Sequence, residues 1–144
     1  MSVLKTENLA VGFSSAKILM KSVNAELRTG RFVGLVGQNG VGKSTFIKTL
    51  CGLLTAQEGE VLLEGKSIGK FEQKEIARKI ALVLTDRPSS LHLSVLELVS
   101  MGRYPHSNWL GILNQKDKEK IGEAITKMEI SHITSKKLFE LSDG

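Results

Sequence analysis

Eight consecutive residues constrain this chain more than any others. Gly37, Gln38, Asn39, Gly40, Val41, Gly42, Lys43 and Ser44 match the pattern G-x-x-x-x-G-K-[ST]. A polyphosphate carries too much charge for one side chain to neutralise, so successive backbone N–H groups must turn inward around it. Glycines supply the positive φ values that aim those groups and leave no Cβ in the way. Lys43 then reaches the β- and γ-phosphates, and the Ser44 hydroxyl is placed to ligate Mg²⁺. A helix opening at Lys43 would point its positive end at the anion. With this chain's own residue frequencies, a chance match has odds on the order of one in fifty. The context agrees as well. Phe32, Val33, Gly34, Leu35 and Val36 read as a short apolar strand before the loop, and residues 43–53 read as a helix after it. The motif alone does not choose among kinases, GTPases and transport ATPases.

Composition narrows the remaining possibilities. Nine of the 14 glycines fall between Gly30 and Gly69, around the loop. At 144 residues, 41% hydrophobic and 24% charged, the chain is one folded domain rather than a disordered one. No run approaches the roughly 18 apolar residues of a membrane helix, and the start lacks the pattern of a signal peptide. The single Cys51 has no partner for an internal disulfide, fits a reducing compartment and reads as helix packing. The charge of +5 is spread evenly: 9 basic and 6 acidic residues up to Glu72, then 11 and 9. With aromatics at 5% this describes a solvated basic surface, not a nucleic-acid partner. His92, His106 and His132 lack metal-ligand spacing.

Along the chain, residues 3–7 and 18–27 read as strands, the second with Val23, Ala25 and Leu27 inward. On the first helix, Ile47, Leu50, Cys51 and Leu54 share a face. Residues 60–64 and 66–68 flank Gly65 as a hairpin. A charged helix covers 71–79, and 80–84 is a further apolar strand. Ser94 with Glu97 is a capping box opening a helix to about Gly102. Residues 103–113 are irregular. An amphipathic helix at 116–128 carries Ile121, Ala124, Ile125 and Met128 on one stripe, capped by Asn114 with Asp117 three residues on. Strands followed by strand-loop-helix units make this an α/β domain.

The form of the phosphate loop, continuing into Thr45, resembles the ATP-binding cassette (ABC) family, and further features agree in order. Two strands precede the loop. Phe13 stands where the family has a Tyr stacking on adenine, keeping the stacking face without the hydroxyl. Leu50, Cys51, Gly52, Leu53 and Leu54, with Gly59, Glu60, Val61 and Gly65 beyond, resemble the segment after the family's first helix. Leu141, Ser142, Asp143 and Gly144 resemble the start of its signature motif, usually L-S-G-G-Q. Two positions depart from the pattern. Thr85 occupies the place of the Gln that reaches Mg²⁺ and the attacking water, with an oxygen on a shorter side chain. Asp143 replaces the signature's first Gly. Arg103, Tyr104, Pro105 and His106, with Trp109 beyond, resemble the segment of iron-siderophore, haem or cobalamin importers that receives the membrane subunit. Read from the residues alone, the same stretch is an aromatic-anchored loop.

The resemblance implies a P-loop NTPase of ABC type. Residues 1–84 would form an antiparallel β-subdomain and phosphate-loop core with part of a parallel sheet. Residues 85–144 would form the Thr85 region and part of a helical subdomain, ending within the signature. It implies ATP and Mg²⁺ as cofactors and a homodimer in which Lys43 stabilises γ-phosphate charge and Ser142 acts in trans. It also implies permease subunits as partners, at the cytoplasmic face of the membrane. The family's catalytic Glu, second acidic ligand and switch His all follow the signature. The 144-residue chain is therefore expected to bind nucleotide without hydrolysing it. The alternatives are a nucleotide-binding module without turnover and an unrelated small P-loop kinase.

Overall fold

Alternating side chains build the sheet that starts the chain. The computed structural model describes residues 2–14, 17–83, 92–108 and 110–141. They fall into two units, Met1–Leu82 and Val83–Gly144, taken separately below. In the first, strand β1 (Ser2–Ser14) pairs antiparallel with β2 (Lys17–Arg28) on one side and β3 (Glu58–Leu63) on the other. A two-residue strand β4 (Lys66–Ser67) completes the order β2-β1-β3-β4. Being central, β1 supplies the core: Leu9, Ala10 and Val11 are fully buried. The buried Thr6 fits there because its hydroxyl donates to the Val23 carbonyl and accepts from the Ala25 N–H, both at 2.9 Å.

Helix α1 (Lys43–Leu50) lays Phe46 and Leu50 against Leu4, Leu9, Val11 and Val61. Its buried face is Thr45, Phe46, Thr49 and Leu50, whereas Ile47 and Leu54 are exposed, so the expected face is rotated. Two threonines can line it because Thr49 Oγ1 donates to the Thr45 carbonyl at 2.9 Å, which gives that hydroxyl a partner inside the helix. The helix also stops before Leu53, where Gly52 takes φ +71°. Helix α2 (Gln73–Lys79) follows, with the Glu72 N–H bonded to Glu75 Oε2 at 2.9 Å and Ile76 buried.

The expected parallel strands do not form. Residues 31–38 and 80–83 are irregular, and all strand pairing among the described residues is antiparallel. Phe32 is 99% and Val36 94% exposed, with Val33 and Leu35 also exposed. A strand apolar on both faces needs a neighbour on each edge, and no described segment pairs with residues 32–36.

The second unit rests on two helices, α3 (Val95–Met101) and α4 (Gln115–Lys127). Both predicted caps are present. Ser94 Oγ accepts from the Glu97 N–H, and Asn114 Oδ1 accepts from the Asp117 N–H at 3.0 Å. On α4 the buried stripe is Asp117, Ile121 and Ile125, four residues apart each time. Ala124 and Met128, expected on that stripe, are exposed, because Asp117 sets the buried line one position round. Beyond α4 the chain returns to α3, where Val95 N–H bonds the Lys136 carbonyl and Leu138 N–H the Leu93 carbonyl.

Candidate functional site

The loop before α1 has the backbone that the motif demands. Gly40 and Gly42 take φ +80° and +106°, and Gly42 caps the helix in the left-handed region. The Phe46 N–H bonds back to the Gly42 carbonyl at 2.8 Å, so the helix begins directly at the loop. No side chain caps α1 and its first turn holds no acidic residue. Its first N–H groups and the positive end of its dipole are thus left to an incoming anion. Lys43 curls over the loop, its Nζ donating to the Gly37 and Gln38 carbonyls, each at 2.7 Å. Ser44 is exposed beside it, as is Val41 at the loop tip, while the Thr45 side chain is buried. Asn39 is exposed as well. These donors, one ammonium and one hydroxyl fit a Mg²⁺-bound polyphosphate, for which the Ser44 hydroxyl would be the metal's protein ligand.

The loop is seated on the first hairpin. A Cβ added at Gly42 would lie 3.0 Å from Leu19 Cβ of β2, so glycine permits both the φ and the contact. Phe13, at the same end of the hairpin as Leu19, is 68% exposed, leaving its ring accessible for stacking. Thr85, Trp109, Ser142, Asp143 and Gly144 lie outside the described residues. Leu141 is half-buried, with its N–H on the Leu138 carbonyl at 3.2 Å.

In the second unit, Arg103 has a structural partner that spacing alone does not reveal. Its Nε and Nη2 donate to Asp117 Oδ1 at 3.0 and 2.9 Å, and Asp117 is 2% exposed. Tyr104 and His106 are exposed on the short 3₁₀ turn Tyr104–His106, with Pro105 half-buried. The buried Ser107 closes the turn onto the Tyr104 carbonyl at 2.8 Å. The Arg103 guanidinium and the Asn114 N–H hold the Asp117 carboxyl below its usual range. A depressed folded value means that the unfolded chain binds the proton more readily. The stabilisation is complete above about pH 4 and is lost as pH falls through the folded value. Unfolding midpoints of the wild type are therefore expected to drop below pH 4. Asp117→Asn, less stable at neutral pH, should show a flatter profile, and parallel profiles would contradict this role. The available sequence signal was a carboxylate on an otherwise apolar stripe, which needs a cationic partner.

With this geometry in view, comparison with known proteins decides the family: the ABC transporter family profile matches residues 20–144. The chain belongs to the ABC transporter family. It is 33% identical over 144 residues to an iron(3+)-hydroxamate import ATP-binding protein of Bacillus subtilis, covering 100% of this chain and 53% of that protein. To a ferric enterobactin transport ATP-binding protein of Escherichia coli it is 33% identical over 141 residues, covering 98% of this chain and 52% of that protein. The chain thus spans about half the length of the curated relatives it matches. Among solved structures, a nucleotide-free ATP-binding cassette from an ABC transporter superposes with a TM-score of 0.80 at 28% identity. That match covers 99% of this chain and 60% of the cassette. The ABC fold accounts for the antiparallel sheet, with the phosphate loop and α1 between its strands β2 and β3, and for the helices that follow. Among the described residues, no helix is long and apolar enough to cross a membrane.

Proposed function

We propose that this chain is the nucleotide-gripping part of the ATP-binding subunit of an ABC importer for ferric siderophores or a related metal chelate. The observation that carries the reading is the loop itself. Gly40 and Gly42 hold left-handed backbone at the start of an uncapped helix, with Lys43 folded over them. Lys43 neutralises the β- and γ-phosphates of ATP, Ser44 holds Mg²⁺ and Phe13 carries the adenine. Bound Mg²⁺ supplies charge neutralisation between the phosphates; the loop's own work is to bind and orient them. In an assembled pair of subunits, Ser142 would complete the partner's site. The exposed Tyr104 and His106 would meet the permease at the cytoplasmic face of the membrane, with Arg103 holding their turn in place through Asp117. The solute class is supported by the names of the iron-hydroxamate and enterobactin relatives and by the segment from Arg103 to His106.

The 144-residue polypeptide by itself is expected to bind Mg-ATP without turning it over. Gly37 to Ser44 supply phosphate donors, and none of those residues is a general base for water. Titration and phosphate release measured on one sample test this. Binding with background release is expected, and steady release at the rate of an intact transport ATPase would contradict it. A strain deleted for this sequence is expected to lose growth on a ferric siderophore as sole iron source. Undiminished growth would remove the solute class.

A further inference from the structure

Lys17 has no part in the reading above, yet its position against Phe13 gives it one. Its Nζ lies 5.5 Å from the centre of the Phe13 ring, within cation–π range, over a side chain that is largely open to solvent. Two irregularities in the ladder produce this arrangement. Between the pairs Val11↔Met20 and Gly12↔Ile18, β2 carries one extra residue, Leu19. Between Gly12↔Ile18 and Ser14↔Lys17, β1 carries one extra residue, Phe13. Bulges re-aim the side chains they insert and gather next to binding sites. Leu19 is aimed at the phosphate loop, where it meets Gly42. Lys17 therefore reaches Phe13 from the strand that seats the loop. Leu19 lies between the phosphate loop and the Lys17–Phe13 pair along β2, so a base extending from phosphates on residues 37–44 past Leu19 to the ring would compete with Lys17 for a stacking face.

We propose that Lys17 is a displaceable cover on the Phe13 stacking face, lowering affinity for base-bearing triphosphates while leaving phosphate binding alone. This rests on the reading of Phe13 as the base platform. The ammonium must leave the ring before a base can stack, so the base competes against an exposed cation–π contact. Lys17→Met keeps the aliphatic stem and removes the charge. Mg-ATP and Mg-tripolyphosphate, which has no base, are titrated into the full chain and its variants. Lys17→Met is expected to tighten ATP about two- to fivefold relative to tripolyphosphate. An unchanged or lower ratio overturns the proposal, including the case in which both ligands weaken together because Lys17 acts only as a distant charge. Phe13→Ala keeps the two failures apart. If it weakens ATP and spares tripolyphosphate, the platform stands and the Lys17 result is decided alone. If it leaves ATP unchanged, platform and cover fall together. In the Phe13→Ala background, Lys17→Met should no longer tighten ATP, and a tightening that persists there also overturns the cover.

Discussion

Gly59→Ala is expected to destabilise the first unit by at least about 3 kcal/mol, a large part of the stability of a domain this size. Gly59 lies in β3 with φ +69°, which already strains any residue bearing a Cβ. Collision costs more than this strain. A Cβ there would fall 2.3 Å from the carbonyl oxygens of both Glu7 and Asn8. Those are backbone atoms of the central strand, where the register of β1 against β3 shifts between the pairs Glu7↔Glu60 and Ala10↔Glu58. Relief would require moving the strand that carries Leu9, Ala10 and Val11 through the core. Gly65 provides the control, since its φ is +81° and a Cβ would meet nothing within 4 Å. Gly65→Ala should cost only about 1 kcal/mol of backbone strain. Denaturant unfolding of the two variants separates strain from collision. Equal losses would show that the bulge yields and that the sheet does not depend on this approach.

Features set by neighbours in sequence were legible without the structure. The phosphate loop, the start of α1, the hairpin around Gly65 and the two helix caps all depend on residues close together in the chain. Ser94 with Glu97 and Asn114 with Asp117 needed nothing more than spacing. Features set by distant chain were not legible. Residues 32–36 have the composition of a central strand, but hydrogen bonding along both edges makes a strand, and composition cannot supply the partners. The buried face of α1 escaped because Thr45 and Thr49 count as polar until the local bond from Thr49 to the Thr45 carbonyl is known. Asp117 was readable as a capping residue, and its place in line with Ile121 and Ile125 called for a cation without naming Arg103, which lies 14 positions earlier. Gly59 stood out in the sequence only as one glycine in a rich region, and its importance comes from the carbonyls of β1. The candidate site was therefore largely visible as a motif. Its seating on Leu19 and the cover over Phe13 come from the two bulges, which pattern reading does not detect.

Lys43 is where fold and function part most cleanly. Its ammonium bonds the loop carbonyls of Gly37 and Gln38 and its side chain takes no part in the core, so Lys43→Ala should leave the unfolding transition unchanged. Binding should respond very differently. On the proposed reading the substitution would remove a charge-assisted contact to each of two phosphates, at about 1.5–3 kcal/mol apiece, and weaken ATP by about 100-fold or more. Calorimetric titration of Mg-ATP into the wild-type chain and into Lys43→Ala, with far-UV spectra confirming equal folding, tests whether this loop grips the phosphates. A saturable heat is expected in the wild type and none at matched concentrations in the variant. Equal binding in both, or no binding in the wild type at millimolar ATP, would contradict it.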